Sequence, residues 1–363
     1  MPTPTPRKII ITGGGTGGHV FPALAIAEEL RARGYQILYV GTERGMEAKL
    51  VPAKGFAFLT VRTGSVKNQS ALRILKTLGQ LVGAIVWGIR LLRRERPLAV
   101  VGVGGYVSVP VCVAAFLCRV PMFLQEQNTS VGIANRFLGR LSRRVFLGFD
   151  QAREFFPSGR TVFTGNPIRR EFYAPDLPAY DPTARCLVVL GGSQGAQAIN
   201  QAIVDLLPDL PADVSIVHQT GQKDLEATEK AYRARCRGKY EVSAFISDMP
   251  ATYARASLVI SRSGALTVSE LIQVGRPAIL VPYPRKGQND QTTNAYWLEK
   301  CRVAKVVEQG PDFPARLATA FREAFEPERL RHMAENFSQL RTSGALVSIA
   351  DQIEGELTRS AQR

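Results

Sequence analysis

Two apolar runs in this chain each end in a glycine-rich loop leading into a helical pattern, and the loops lie 178 residues apart, Gly13 to Gly191. The first is Ile9-Ile10-Ile11 followed by TGGGTGGHVFP (Thr12–Pro22), with a helical pattern from Ala23. The second is Cys186–Leu190 followed by GGSQGAQAIN (Gly191–Asn200), again opening a helix. Strand, loop, helix in that order leaves backbone N–H groups free to face an anion at a helix N-terminus. His19 lies in the first turn, and an imidazole titrates near neutrality. A phosphate cradle beside such a base points to chemistry on a phosphorylated substrate.

Around these loops, strand and helix patterns alternate. Strands are predicted at Lys8–Thr12, Gln36–Val40, Ala99–Val103, Met122–Gln125, Arg144–Leu147 and Thr161–Phe163, with helices between them such as Ala23–Arg33 and Val131–Leu141. After a Pro-rich linker, Pro167–Pro182, a second series covers Cys186–Leu190, Val214–His218, Tyr240–Ala244, Leu258–Ser261, Ala278–Val281 and Ala304–Val307. Such alternation predicts parallel sheets wrapped by helices. At 363 residues the chain has room for two cores. The expected fold is α/β: two doubly wound Rossmann-like domains facing each other across a cleft, with ligand sites at the carboxyl ends of both sheets.

Five cysteines without a CxxC pair argue against a disulfide scaffold or zinc ribbon and fit a reducing compartment. The N-terminus MPTPTPRK reads as a short polar tail rather than a signal peptide. Charge is divided unevenly: residues 1–166 carry 22 Lys+Arg against 8 Asp+Glu, a net +14, while residues 167–363 carry 24 against 23, a net +1. A basic first half suggests an anionic partner, nucleic acid or membrane; the alternative is a solubilising charge bias, which would be spread more evenly over both halves. No interleaving of aromatic and basic residues supports nucleic acid.

Ser70–Arg96 contains only thirteen consecutive uncharged residues, Thr77–Ile89, too few to span a bilayer. On a helix, Arg73, Lys76, Gln80, Gly83, Trp87, Arg90 and Arg94 form one stripe, while Leu72, Leu75, Leu78, Leu81, Ile85 and Leu92 dominate the other sides. A broad apolar surface with a cationic edge suits a membrane interface, and it equally suits an ordinary core helix. Both readings hold together if only one end of the helix touches lipid.

Gly13-x-Gly15-x-x-Gly18 has the dinucleotide spacing, but Glu43, the acid nearest the ribose-binding position, lies beyond Gly41-Thr42 in a polar loop. A nicotinamide enzyme also needs no second glycine loop. His218 and His332 have no ligand-spaced partners and no Asp-x-Asp pair occurs, so a nucleotide diphosphate would be met by loop amides, helix dipoles and side chains rather than a metal. In Ser261–Pro284, SRSGALTVSELIQVGRPAILVPYP, the strand ends at Arg262-Ser263-Gly264 and the next helix presents its N-terminus. Glu270 lies one to two turns in, where a carboxylate accepts both hydroxyls of a ribose; otherwise it is a surface or capping acid.

TGGGTGGHVFP, GGYVSVP (Gly104–Pro110), EQN (Glu126–Asn128), GNPIR (Gly165–Arg169), GGSQGA and RSGALTVSE, in this order, resemble the MurG family of peptidoglycan glycosyltransferases. The resemblance runs from about Ile9 to Ala350 and implies the GT-B fold, divided here as an acceptor and membrane-facing domain (1–166), a UDP-sugar donor domain (167–342) and a C-terminal segment (343–363) whose helix, roughly Gly344–Leu357, returns to the first domain. It implies a donor site in which Ser193 holds the diphosphate, Glu270 the ribose and the Ile246 backbone the uracil. Ala265, Leu266, Thr267, Val268 and Ser269 would contact phosphate and sugar, Gln291 the sugar hydroxyls and Arg169 the phosphate side, with Thr16, Gly17, Gly18 and Asn128 closing on the donor. The acceptor diphosphate would meet Gly14, Gly15, Gly104 and Gly105, with Tyr106 alongside.

The chain departs from the family where Gln125 stands in place of the usual His before Glu-Gln-Asn, and where Val109 replaces a common glycine. That leaves His19 as the expected base, with Glu126 orienting or assisting. The resemblance implies inverting, metal-independent transfer of N-acetylglucosamine from UDP-N-acetylglucosamine to the muramoyl C4 hydroxyl of undecaprenyl-diphospho-muramoyl-pentapeptide. The implied setting is peripheral, on the cytoplasmic face of an inner membrane with anionic lipid, with cell-wall synthesis proteins as partners. A UDP-sugar 2-epimerase shares the fold and donor site, but needs neither the cationic apolar helix nor GGYVS.

Overall fold

The strand-forming runs are short, rich in Val, Ile and Leu, and apolar at nearly every position, the pattern of strands covered on both faces in a parallel sheet. The computed structural model describes residues 7–61, 71–173, 178–192, 195–284, 290–342 and 344–362, the side chains of 71–78 and 361 excepted. These fall into two compact units: residues up to Ile168 together with the C-terminal segment after Thr342, and Arg169–Thr342.

The first unit runs β1 (Lys8–Thr12), α1 (Gly17–Ala32), β2 (Gln36–Gly41), α2 (Glu47–Ala53), β3 (Ala57–Thr60), α3 (Ala71–Glu95), β4 (Ala99–Gly102), α4 (Ser108–Leu117), β5 (Met122–Glu126), α5 (Ile133–Leu141), β6 (Arg144–Leu147) and β7 (Thr161–Phe163). The sheet order is β3-β2-β1-β4-β5-β6-β7, all parallel. Ile9, Ile11, Val101 and Phe123 join the core beneath α1, whereas Ile10, Val100 and Leu124 join the core beneath α3, α4 and α5. Gly88 lets α3 approach α4, since a Cβ there would lie 2.9 Å from the Ala114 Cβ.

Two features differ from the sequence expectation. β3 was not expected, because AFLT is four residues long and only half-buried; it is held by register, Leu38 opposite Ala57 through Gly41 opposite Thr60. Helix α1 begins at Gly17, six residues before Ala23. Glycines and a histidine carry no apolar period, so the first turn is invisible to pattern reading. It forms because Val20, Ala23, Leu24 and Ala27 all reach the core, although Pro22 has no N–H to give to the Gly18 carbonyl.

The second unit repeats the plan: β8 (Cys186–Leu190), α6 (Gln197–Leu206), β9 (Ser215–Gln219), α7 (Leu225–Arg235), β10 (Tyr240–Ser243), α8 (Met249–Arg255), β11 (Leu258–Ser261), α9 (Ala265–Val274), β12 (Ala278–Leu280), α10 (Asp290–Lys300), β13 (Ala304–Val306), α11 (Phe313–Ala324) and α12 (Pro327–Glu335). Its order β10-β9-β8-β11-β12-β13 is parallel throughout and reverses between β8 and β11, as the first sheet reverses between β1 and β4. In doubly wound sheets that reversal opens a crevice at the carboxyl edge, where ligands bind.

The last helix, α13 (Ala345–Ala361), packs on the first unit. Leu346, Ile349, Ala350 and Ile353 enter the core beneath α1. Arg33 bridges Glu29 of α1 to Asp351 and Glu354 of α13 at 2.9, 2.5 and 2.7 Å. Glu356, with only 6% of its side chain exposed, collects Arg143, Arg144 and Arg359.

Candidate active site

In the first unit the reversal is bounded by the loop Gly13–Thr16 after β1 and the loop from Val103 to Val107 after β4, with the N-termini of α1 and α4 behind them. Thr16 is the extended N-cap of α1, and Gly17, Gly18 and His19 form its first turn; the Thr16 carbonyl takes the His19 N–H at 3.0 Å, leaving the Gly17 and Gly18 N–H groups at the helix start. His19 is half-buried, and its Nδ1 lies 3.3 Å from the Thr16 hydroxyl. The ring rests on Gly104: a Cβ there would fall 2.6 Å from His19 Cδ2 and 2.9 Å from Nε2. The direction of the Thr16–His19 hydrogen bond follows the tautomer of the imidazole. Tyr106 is 43% exposed beside this loop.

The glycines here serve packing as much as any ligand. Gly105, at φ +81°, leaves room for the Gly14 carbonyl, which a Cβ would meet at 2.4 Å. Gly14, Gly41 and Gly45 all make room for one side chain, Glu47, whose atoms a Cβ would meet at 2.2, 2.6 and 2.2 Å respectively. The Glu47 carboxylate is fully buried; it accepts the Thr42 N–H and hydroxyl at 3.0 and 2.7 Å and the Gly15 N–H at 3.2 Å. Tyr39 completes the brace by donating to the Gly13 carbonyl at 2.8 Å. Sequence reading considered Glu43, which is exposed, and missed Glu47. The available signal was Gly41 and Gly45 flanking a helix that opens with an acid.

Glu126 ends β5 and is 2% exposed. Its carboxylate accepts the Asn128 N–H at 3.0 Å, the Asn128 amide at 3.4 Å and the Asn135 amide at 2.8 Å. Burial pushes its pKa up against those hydrogen bonds. The geometry therefore makes Glu126 an anchor for Asn128. Gln125 is fully buried in β5; its amide donates to Asn166 Oδ1 at 2.9 Å, and Gln127 in turn donates to its carbonyl oxygen. Gln127 also donates to the Val103 carbonyl at 2.7 Å, so this amide network ties GNPIR and EQN to the loop after β4.

In the second unit the N-termini of α6 and α9 flank the reversal, so two positive dipole ends converge on one crevice edge. Ser193 lies outside the described residues. Gly195, at φ +78°, lets the loop pass over the Thr220 carbonyl, which a Cβ would meet at 2.3 Å. Gly264 caps α9, leaving the N–H groups of Ala265, Leu266 and Thr267 as first-turn donors. The Val268 side chain is fully buried and its N–H is taken by the Gly264 carbonyl, and the Ser269 hydroxyl donates to the Ala265 carbonyl at 2.9 Å, because helical periodicity turns these two inward.

Glu270 is half-buried on α9; Tyr253 donates to its Oε2 at 3.3 Å. Burial raises its pKa to about 7, against the field of the exposed Arg169 and the Tyr253 hydrogen bond. Gln291, near the start of α10, accepts the Tyr283 N–H at 3.0 Å through its side chain, while its backbone carbonyl accepts the Ser263 hydroxyl at 2.9 Å. This sets Gln291 beside the α9 N-terminus. The Ile246 N–H is held by Gln219 Oε1 at 2.9 Å, a partner that pattern reading did not find.

Helices α3, α4 and α5 form the layer over one face of the first sheet. Ala84, Leu91 and Leu92 of α3 are buried and Trp87 packs partly against that core, while Val82, Val86, Arg90, Arg93 and Arg94 are exposed. Arg73, Lys76, Leu72, Leu75 and Leu78 have side chains outside the described set. The layer also exposes Phe116 and Leu117 of α4 and Ile133 and Phe137 of α5, with Arg119, Arg136 and Arg140 among them. Among the described residues no helix is long and apolar enough to cross a membrane.

The family model for the glycosyltransferase family 28 N-terminal domain matches residues 9–147, and that for the family 28 C-terminal domain matches residues 186–350. A relative from Anaeromyxobacter sp. (strain Fw109-5), 41% identical over 362 residues and spanning 97% of this chain and 94% of its own length, is named UDP-N-acetylglucosamine--N-acetylmuramyl-(pentapeptide) pyrophosphoryl-undecaprenol N-acetylglucosamine transferase. One from Myxococcus xanthus (strain DK1622) bears the same name, at 40% identity over 351 residues, 95% of this chain and 91% of its own. Among solved structures, Acinetobacter baumannii MurG superposes with a TM-score of 0.81 at 31% identity, covering 96% of this chain and all of that one.

Proposed function

The chain belongs to glycosyltransferase family 28, and on that premise we propose that it transfers N-acetylglucosamine from UDP-N-acetylglucosamine to the C4 hydroxyl of lipid-linked muramoyl-pentapeptide, a step of peptidoglycan and cell-wall synthesis. The observation that carries the reading is the pair of identical sheet reversals, each walled by a glycine loop and two helix N-termini. One phosphorylated ligand needs one such cradle; a nucleotide-sugar donor and a diphospholipid acceptor need two. The 2-epimerase reading is weaker, since relatives at about 40% identity carry the transferase name across nearly the whole chain.

In this reading residues 167–342 bind the donor. The loop containing Ser193 and the first-turn N–H groups of Ala265, Leu266 and Thr267 take the diphosphate, Arg169 adds charge, Glu270 accepts the ribose hydroxyls, Ile246 lies at the uracil, and Gln291 meets the sugar. Residues 1–166 with 343–363 take the acceptor, its diphosphate at Gly14, Gly15, Gly104 and Gly105 beside Tyr106. Thr16, Gly17, Gly18 and Asn128 complete the donor's contacts.

His19 Nε2 removes the proton as the C4 oxygen attacks the anomeric carbon from the face opposite UDP, so the configuration inverts. In the tautomer whose Nδ1–H donates to Thr16 Oγ1, the base acts through the nitrogen away from the helix. Glu126 works through Asn128. The departing diphosphate is stabilised by fixed dipoles that need no rearrangement as charge develops.

The exposed apolar and cationic side chains of α3–α5 support peripheral binding to an anionic membrane surface, at the cytoplasmic face of the inner membrane. The deciding experiment supplies labelled UDP-N-acetylglucosamine and a lipid-linked muramoyl acceptor. Label in the lipid product is the expected result; wild-type protein that binds UDP yet forms no labelled lipid refutes the transfer.

A further inference from the structure

Gln219 ends β9, the strand lying between β8 and β10, and is 4% exposed. Its side chain bridges the loops that follow both neighbours. Nε2 donates to the Gly192 carbonyl at 3.0 Å, in the glycine loop after β8. Oε1 accepts the Ile246 N–H at 2.9 Å, in the turn after β10. Its own backbone carbonyl takes the Gly191 N–H at 3.1 Å, and the carbonyl of the next residue, Thr220, fills the space that Gly195 leaves open. Both functional ends of one buried amide are thus spent across the carboxyl edge of the sheet, on two segments that follow different strands.

We propose that Gln219 is the positioning residue of the nucleotide site, setting the separation between the loop that holds the diphosphate and the backbone that lies at the base. The inference rests on the UDP-sugar reading above. A nucleoside diphosphate has a fixed span from base to phosphates, so a rigid tie between the two subsites lets both ends bind without a further ordering cost. The tie also sets the peptide plane before Ile246. Its N–H points to Gln219, and in a trans peptide the Phe245 carbonyl then points the opposite way. With that N–H already bonded, the tie leaves carbonyl oxygen rather than amide hydrogen to meet the base, which suits an imide N–H donor such as that of uracil.

The test compares full-length wild-type protein with Gln219→Leu, close in volume but without hydrogen bonds, and Gln219→Glu, which keeps an acceptor for Ile246 and loses the donor to Gly192. Calorimetric titrations use UDP, uridine and inorganic pyrophosphate, with donor KM and kcat measured alongside. Losing two neutral hydrogen bonds predicts UDP binding weaker by about tenfold to a hundredfold in Gln219→Leu. Uridine and pyrophosphate, each engaging one subsite, should change by about threefold or less, because the coupling between subsites is what is lost. Donor KM should rise with kcat nearly kept. In Gln219→Glu, a carboxylate set against the Gly192 carbonyl adds a repulsion toward anions that Gln219→Leu lacks, so UDP and pyrophosphate should weaken while uridine is retained.

UDP affinity within about threefold of wild type in Gln219→Leu overturns the proposal. An equal loss for all three ligands, accompanied by a lower Tm, also overturns it, since that is the signature of a merely structural residue. Wild-type protein that binds no UDP would instead overturn the donor reading itself, so the two failures are separable.

Discussion

Glu270 gives the donor site a pH dependence that can be worked from the structure. Burial on α9 lifts its carboxyl from the ordinary 4.5 to about 7, although Arg169 and the Tyr253 hydroxyl oppose the rise. At about 1.4 kcal/mol per pH unit, ionising this group in the empty site costs at most about 3.5 kcal/mol more than in the unfolded chain. Because the folded pKa is raised, the folded protein holds this proton more tightly. Glu270 therefore favours folding at low pH, and that contribution falls between about 4.5 and 7 and is gone above. Binding has the opposite sign. Two ribose hydroxyls donate to the ionised carboxylate, so UDP selects the charged form and affinity should rise with pH, by up to about tenfold per unit, until it levels above about 7. The assay is UDP titration from pH 5.5 to 8.5 with wild-type protein and Glu270→Gln. The terminal phosphate of UDP also titrates near 6 and contributes equally to both proteins, so the difference between their slopes is the quantity read. Parallel slopes in the two proteins would refute the ribose contact and the reasoning behind it.

Replacing His19 by Ala should lower turnover by about a hundredfold or more while UDP binding stays within about twofold, and near-normal turnover would remove it as the base. Thr16→Val should lower kcat by about tenfold, since the imidazole loses the hydrogen-bond partner of its Nδ1; an unchanged pH–rate profile would contradict that role. Glu47→Ala removes a fully buried acceptor from the part-buried Thr42 N–H and the exposed Gly15 N–H and should cost about 1–3 kcal/mol of stability, measured by urea denaturation, with a rise in acceptor KM wherever the protein remains folded. Flotation with anionic vesicles should show binding that fades as salt rises, and Ile133→Asp with Phe137→Asp should abolish it without altering UDP affinity; binding indifferent to both changes would remove α5 from the membrane surface.

Much of the architecture was legible because its signals are local. Lys8–Thr12, Arg144–Leu147, Thr161–Phe163, Cys186–Leu190 and Leu258–Ser261 have the bounds that apolar runs between turn residues predict. The repeated strand, glycine loop and helix announced two doubly wound sheets, and motif order alone identified the family. What each site residue touches was not legible. Glycine reads in sequence as freedom for a ligand to approach, yet Gly14, Gly41 and Gly45 are spent on Glu47, Gly104 on His19 and Gly105 on the Gly14 carbonyl. These contacts join segments up to about ninety residues apart, and no local period records them. The same reason hid the α1 start, where tertiary packing of Val20 and Ala23 winds Gly17 and Gly18 into helix against their own propensity. Sequence by itself determined the fold class, the family and the two glycine loops, because apolar pattern and turn chemistry act over a few residues. Only the tertiary structure decided which carboxylate braces the first loop, which amide ties the second, and which face of α9 turns inward. Those depend on strands brought together by register, and a neighbour across a sheet leaves no mark on the residues beside it in the chain.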